Sequence, residues 1–419
     1  MRRDEVISEL LSYRGDASLE EAMRKVSAAI INRRSYTGPP LDSLERILCE
    51  KKACFSTPIL LNVDSGPHPM TASCYIADID QMSIPEILKL HNNIFDGSGG
   101  VGSDLSPRDD VGDVIIAMEE NARNRYCGLP SRGCSIGAIL RADHPQIDRF
   151  IQPNRPSGPF RHVIRNIMLP AGFIDRSAIP GSSEKYLLEQ AAESMIQSGS
   201  PGLLFEDNIN LGQPYKIRAT NPCAEFLCAD DTAANLASLN LSRFITDGAF
   251  NHNDLLEAAK TLTVALNIIL DTSSYPTESI RSNTLKHKPI GVGITNYDDA
   301  LRKLGWGYGS EEAISLLCEI TKELAFAISS MNFGNTQTTL IAPTGRTGLL
   351  MNCESFGIES RCFDEHLEIH TAAAAQPHLT GGISLTVCYP DPDRSNVIED
   401  IMLAHRIGLK SYIMYSKRE

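Results

Sequence analysis

Apolar positions recur at helical spacing early in the chain, where Leu19, Ala22, Met23, Val26 and Ile30 fall three or four residues apart. Ser18 and Glu21, just after a turn at Gly15-Asp16, have the spacing of a capping box and set the start of this helix. Gly38-Pro39-Pro40 breaks the pattern, so the first fifty residues read as two or three short helices. Beyond them, short apolar runs alternate with helical stretches. Ile59-Leu60-Leu61, Val114-Ile115-Ile116-Ala117 and Ile136-Gly137-Ala138-Ile139-Leu140 read as strands or buried segments. The clearest helix runs from Leu255 to Leu270, with Leu255, Ala259, Leu262, Leu266 and Ile269 on one face. Asn253 or Asp254 is expected to cap it, and Tyr275-Pro276 to end it. Such alternation predicts an α/β protein with mostly parallel strands. It does not separate an open sheet from a barrel.

Composition narrows the class. The 419 residues are 42% hydrophobic and 22% charged, which is ordinary for a globular protein and far from disorder. A net charge of −13 argues against a protein that coats nucleic-acid phosphates, so no nucleic-acid polymer is expected as partner. No window approaches eighteen uninterrupted apolar residues, and Met1-Arg2-Arg3-Asp4-Glu5 leads into an amphipathic pattern rather than a signal peptide. No membrane association and a cytoplasmic location are the expectations. Eleven cysteines without any Cys-x-x-Cys give no zinc or thioredoxin-like motif. Cys49, Cys54, Cys318 and Cys362 are expected to be small apolar core residues.

One segment carries chemistry. Asn221-Pro222-Cys223-Ala224-Glu225 sets a carboxamide, a thiol and a carboxylate at alternate positions, which converge on one spot if the segment is extended. A thiol between a hydrogen-bonding amide and a general base suits radical or nucleophilic chemistry. Ten residues beyond Pro222-Cys223-Ala224-Glu225 comes Asn235-Leu236-Ala237-Ser238-Leu239-Asn240-Leu241.

By motif and order these two segments resemble the thiyl-radical finger loop of the ribonucleotide reductases, written NPCGE and CNLGSINL in that family. Further blocks keep family order. Gly97 to Gly102 with Leu105-Ser106-Pro107-Arg108 resembles the glycine turn before FSxLRP. Ser131-Arg132-Gly133-Cys134 with Asp143-His144-Pro145 resembles RRGA…DHPDIEEFI. Ile341 to Leu349 with Gly357-Ile358-Glu359 resembles IAPTGTIGL…GIEP, and Ile383 to Val387 with Gly408-Leu409-Lys410 resembles the closing AISKTV and GLK blocks. The resemblance spans about residues 50 to 415.

It implies a ten-stranded α/β barrel of two five-stranded halves around a central finger loop, with residues 1–50 as an N-terminal helical segment and 51–419 as the barrel, together one domain. It implies a reductase that converts ribonucleoside di- or triphosphates to 2′-deoxyribonucleotides. Cys223 takes the position of the thiyl, Glu225 that of the base on the 3′-hydroxyl, and Asn221 that of the group holding the hydroxyls. Cys74 matches the first of two reducing cysteines. Pro343, Thr344, Gly345, Arg346 and Thr347 match the phosphate loop, Thr57 and Ser73 match positions that hold the same substrate, and Gly100 lets backbone approach the nucleotide. Arg346 departs from the family's small residue and adds a charge suited to a polyphosphate.

Other departures matter as much. Where the second reducing cysteine precedes the Asn-Leu block, this chain has Ala234, and no redox tail or ATP-binding cone is recognised. Cys228 is the thiol nearest in sequence to replace it. The segment Gly128 to Cys134 resembles the family's effector-coupling loop, shortened. At Met414-Tyr415 only one tyrosine stands in register where members served by a metal-carrying subunit have two. The resemblance is therefore closest to the adenosylcobalamin-dependent class, with an external thiol as reductant and no metal site of its own. Asp364 to Ile369 does not fit Asp-x-His-x-x-Gly, so His366 is not expected to ligate cobalt. Oligomeric state is left open, a homodimer included. Two alternatives accompany the main reading: a radical enzyme on nucleotides with an external reductant or another sugar product, and a non-catalytic nucleotide-binding barrel.

Overall fold

The computed structural model describes residues 2–33, 41–152, 160–360, 365–389 and 391–416. The break expected at Gly38-Pro39-Pro40, together with Cys362 and Asp364, lies outside them.

Three helices open the chain: α1 (Arg3–Arg14), α2 (Leu19–Asn32) and α3 (Leu44–Cys49). At the start of α2 the Ser18 hydroxyl accepts from the Glu21 amide at 3.1 Å, while Glu21 reaches back to the Ala17 amide at 2.8 Å. Of the predicted stripe, Ala22, Met23, Val26 and Ile30 are buried and Leu19 is half-buried. A charged knot ties these helices to the barrel. The Arg14 side chain, only 2% exposed, pairs with Asp16 at 2.7 Å and Asp64 at 2.6 Å, and Asp16 also holds Lys25. A guanidinium so buried is tolerated because it is paired and hydrogen-bonded.

Ten strands form one connected sheet: β1 (Ala53–Phe55), β2 (Cys74–Ile76), β3 (Gly100–Asp104), β4 (Ile136–Arg141), β5 (Val163–Leu169), β6 (Gly202–Phe205), β7 (Thr232–Asn240), β8 (Ile290–Thr295), β9 (Thr386–Tyr389) and β10 (Ser411–Ser416). Strands β2 to β6 run parallel, each beside the next. A second parallel run begins with β7 and β8. Single parallel bridges, Val292 with Thr339 and Ile341 with Ile383, carry it through an extended stretch at 339–341 to the lead of β9, which pairs with β10. The two runs join antiparallel at both ends, β2 on β7 and β10 on β6. The ring therefore closes into two halves of five, with β1 as an extra antiparallel strand on β7. This is the barrel the resemblance implied.

Alternation along each strand sorts side chains between two cores. Leu203 and Tyr412 face the surrounding helices, whereas Leu204, Ile139, Met168 and Ile76 face the barrel interior. An empty ring of this size would be unstable, and the segment between β6 and β7 fills it. Phe226, Leu227 and Cys228 from that segment are buried among the interior residues. Two glycines show how closely it is held. A Cβ on Gly102 of the first half would lie 1.7 Å from the Thr220 carbonyl oxygen, and one on Gly382 of the second half 2.7 Å from that of Ala224. Only glycine lets the strands approach this backbone.

Of the three apolar runs expected as strands or buried segments, Ile59–Leu61 and Ile136–Leu140 are buried throughout, Ile116 and Ala117 are only half-buried, and only Ile136–Leu140 is a strand. Ile59–Leu61 lies in the helix Thr57–Asn62, and Val114–Ala117 in the helix Val111–Arg123. A short apolar run has no periodicity of its own, and helix-favouring neighbours decide it. The long helix runs His252–Thr272 and is capped by Asn251, whose side chain accepts from the Asp254 amide at 3.1 Å, not by Asn253 or Asp254. Capping needs the residue just outside the first turn, two positions before Asn253.

Candidate active site

The finger crosses the barrel as a tight turn rather than the extended segment expected. The Ala224 amide donates to the Asn221 carbonyl at 3.1 Å, and Ala224 sits at φ 65°, a left-handed conformation that disfavours a side chain. The turn joins two of the three groups, Asn221 and Glu225, with Cys74, while Cys223 lines the same cavity. Asn221 Nδ2 donates to Glu225 Oε1 at 2.8 Å and to Cys74 Sγ at 3.2 Å, while the Cys74 thiol lies 3.7 Å from the same carboxylate oxygen. The Asn221 carbonyl oxygen of the side chain accepts from the Phe226 amide at 3.0 Å, which fixes the amide's orientation. Cys223 is the partly exposed member, while Asn221, Glu225 and Cys74 are buried.

These groups line a cavity of about 370 Å³. Every residue expected at the site borders it. Cys223, Asn221 and Glu225 come from the finger, Ser73 and Cys74 from the β2 edge, Gly100 from β3 and Thr57 from a helix start. Pro343, Thr344, Gly345, Arg346 and Thr347 form the opposite wall, at the beginning of the helix Gly345–Leu350. The first amides of that turn have no intrahelical partner.

Other lining residues were not foreseen. Arg132, within the hairpin Tyr126–Gly133, and Ser135, just after it, reach the cavity, and the Arg132 guanidinium is tied to the Ser98 and Cys127 carbonyl oxygens. Cys54, expected as an inert core residue, also borders it, because β1 lies beside β7 with Cys54 opposite Ser238. A charged residue inside the family-like RRGA block was the available signal for Arg132. Nothing in the sequence pointed to Cys54.

Electrostatics separate the three acidic groups by task. Burial pushes the Glu225 carboxyl up to about 7, against the Asn221 hydrogen bond, and its Oε2 is buried with no hydrogen-bond partner. A cavity-lining carboxyl shifted toward neutrality, with one oxygen unpartnered, suits a general base. Burial, reinforced by Glu225, pushes both the Cys223 and Cys74 thiols up. They remain protonated S–H groups at neutral pH. A nucleophilic cysteine needs the opposite shift, so this site favours hydrogen-atom chemistry over thiolate attack.

Ala234 lies directly opposite Cys74 in the β2–β7 ladder. Cys228 does not border the cavity; its sulfur sits 3.2 Å from the Tyr215 hydroxyl among the interior residues. His366 is 61% exposed and pairs with Asp400 at 3.0 Å. Among the described residues no cluster of three or more potential metal ligands occurs, and no helix is long and apolar enough to cross a membrane.

Residues 181–331, which include the finger, β7 and β8, match the family described as "Ribonucleotide reductase, barrel domain". That match spans 151 of the chain's 419 residues and marks a similarity to the ribonucleotide reductase barrel. Among curated proteins it is 24% identical over 419 aligned positions to a vitamin B12-dependent ribonucleoside-diphosphate reductase of Thermoplasma acidophilum, covering 84% of this chain and 54% of that one. It is 28% identical over 246 positions to a vitamin B12-dependent ribonucleotide reductase of Rhodopirellula baltica, covering 43% of this chain and 24% of that one. The chain thus spans about half, or less, of the length of these reductases. In three dimensions it resembles the class Id ribonucleotide reductase alpha subunit of Actinobacillus ureae, with a TM-score of 0.79, 16% identity and coverage of 95% and 94% of the two chains. At that identity the likeness speaks for the barrel alone.

Proposed function

We propose that this barrel, residues 51–419 with the helical segment 1–50 packed on it, reduces ribonucleoside di- or triphosphates to 2′-deoxyribonucleotides with adenosylcobalamin as radical source. The observation that carries the reading is a partly exposed, protonated Cys223 at the tip of a finger whose Asn221 and Glu225 form one hydrogen-bonded group with Cys74. The B12-dependent names of two relatives support the choice of cofactor. Its fit rests on Cys223, which among the finger residues lining the cavity is the partly exposed one. When bound, adenosylcobalamin would supply radical chemistry at this thiol.

The chain's own residues do the rest. The Cys223 thiyl removes the 3′-hydrogen of the ribose. Glu225 accepts the 3′-hydroxyl proton through its bare Oε2. Asn221 holds the hydroxyls and the carboxylate in register, and the buried Cys74 S–H protonates the 2′-oxygen, which leaves as water. The wall from Pro343 to Thr347 would face the phosphates with the Gly345, Arg346 and Thr347 amides and the Arg346 guanidinium, the Thr344 and Thr347 hydroxyls being turned to backbone carbonyls. Reduction consumes two electrons. With Ala234 opposite Cys74, they come from an external dithiol: ribonucleotide plus dithiol gives deoxyribonucleotide, disulfide and water. A soluble, cytoplasmic enzyme that releases its product to nucleotide pools is consistent with this chemistry.

Incubation of the full chain with adenosylcobalamin, a small dithiol and each ribonucleotide, followed by product analysis, tests the proposal. A deoxyribonucleotide is expected. Exchange of the cofactor's 5′-methylene hydrogens with water without a deoxy product would favour a radical enzyme making another sugar. Neither exchange nor product would leave a nucleotide-binding barrel.

A further inference from the structure

Arg346, the charged departure in the phosphate wall, does not stand alone. Its Nη1 lies 2.8 Å from Glu9 Oε2 of α1, and its Nη2 donates to the Ser131 hydroxyl. Ser131 is itself clasped by Glu9, through its amide to Oε1 at 2.7 Å and through its hydroxyl to Oε2. Three segments distant in sequence thus meet in one closed group: the first helix, the hairpin and the phosphate wall.

The arrangement has two sides. Arg346 borders the cavity, whereas Glu9 does not; Glu9 and Ser131 border a groove on the outer side, between α1 and the hairpin. The carboxylate grips the guanidinium from behind. A guanidinium carries five N–H donors, and two of these are engaged by Glu9 and Ser131. Three are left for a ligand in the cavity. Arg132, the other cation on the wall, is tied to the Ser98 and Cys127 carbonyls through Nη1 and keeps its Nε and Nη2 donors.

Burial works against a charge on Glu9, yet the Ser131 hydrogen bonds and the Arg346 charge hold its carboxyl below the ordinary value. It stays ionised through the neutral range. A long arginine side chain left free at a cavity wall loses rotamer entropy when it closes on a phosphate. One clamped from behind has already lost it, and binding strengthens accordingly.

We infer that Glu9 is a positioning residue for Arg346, and that the clamped Arg346 with Arg132 makes the site select a ribonucleotide by its terminal phosphate. This rests on the proposed function, because it assigns the far end of the same substrate. Glu9 contributes nothing to the ribose end, so its loss should act on binding in proportion to phosphate charge.

The test is calorimetric binding to the full chain of each common ribonucleoside in three forms: free, 5′-monophosphate and 5′-diphosphate. In Glu9→Ala the diphosphate dissociation constant is expected to rise about tenfold, as for the loss of a well-placed charge-assisted contact. The constant for the free nucleoside should stay within twofold, and Glu9→Asp should recover part of the loss. In turnover assays the change should fall on KM, with kcat little altered. Glu9→Gln separates charge from fold, since it keeps size and an accepting oxygen. Tighter diphosphate binding in Glu9→Gln or Glu9→Ala would overturn the inference, because Glu9 would then act as a competing anion. Equal loss for nucleoside and diphosphate would overturn it too, showing a general defect. If the wild-type chain binds no ribonucleotide at all, the proposed function fails, and the inference with it.

Discussion

Cys74 and Ala234 face each other across the antiparallel seam that joins the two halves of the barrel. Directly opposed residues in such a ladder have Cα atoms about 4.5–5.5 Å apart, within the range that a disulfide spans. Ala234→Cys therefore places a second thiol where a bridge to Cys74 closes without backbone movement. The variant should give about one deoxyribonucleotide per chain without added reductant, since one disulfide carries two electrons. It should also turn over faster with dithiols than the wild type. Quench and product counting decide it. A wild-type chain that already gives this single turnover, unaffected by Cys74→Ser, would assign the electrons to another thiol pair.

Cys223→Ala should abolish both deoxyribonucleotide formation and hydrogen exchange between the cofactor's 5′-methylene and water. Nucleotide affinity should stay within about twofold, because the thiol borders the cavity without holding the phosphate wall. Product from this variant would remove Cys223 from the centre of the chemistry.

Glu225 predicts two pH dependences. As a base it must be ionised, so activity should rise with pH through about 7, and Glu225→Gln should lose most of the rate and this limb together. Stability runs the other way. The folded state holds this proton more tightly than the unfolded chain, so stability falls as pH climbs from about 4.5 to about 7 and is level beyond. A rise from the ordinary 4.5 to about 7 corresponds to roughly 3 kcal/mol as an upper figure. Glu225→Gln should thus be more resistant to urea than wild type at pH 8, with the gap closing below pH 4.5. Equal stabilities at pH 8 would show that the carboxyl titrates normally.

Gly102→Ala should be severe. Its Cβ would fall 1.7 Å from a backbone oxygen of the finger, so strand or finger must shift, at a cost on the order of 3 kcal/mol. Activity should fall further than stability, because the finger carries the thiol. Gly307→Ala, with nothing within 4 Å of its Cβ, should change stability by less than about 0.5 kcal/mol. Similar behaviour of the two variants in urea melts would refute the close contact between β3 and the finger.

The legibility of this site was uneven for physical reasons. Residues that line the cavity, such as Asn221, Cys223, Glu225 and Cys74, sit in short motifs and could be named from sequence. So could the helix α2, whose apolar stripe and cap are local. Closure of the ring was legible only through family likeness, because it depends on pairings such as Ser411 with Leu204 that leave no local trace. The turn at Ala224 was hidden because a non-glycine residue there gives no hint of left-handed backbone. Glu9 was invisible as well: a lone carboxylate on an amphipathic helix looks solvent-facing until the fold sets Ser131 and Arg346 beside it.

The finger is gripped from both sides, by Gly102 against Thr220 in one half and by the Gly382 amide on the Glu225 carbonyl, at 2.8 Å, in the other. Gln337 of the second half adds a hold on the Leu227 amide at 2.8 Å. Neither half of the chain alone can shape the turn that presents the sulfur. A nascent or partly melted molecule consequently lacks the turn that gathers these groups, so under the proposed chemistry the radical step would await a completed barrel.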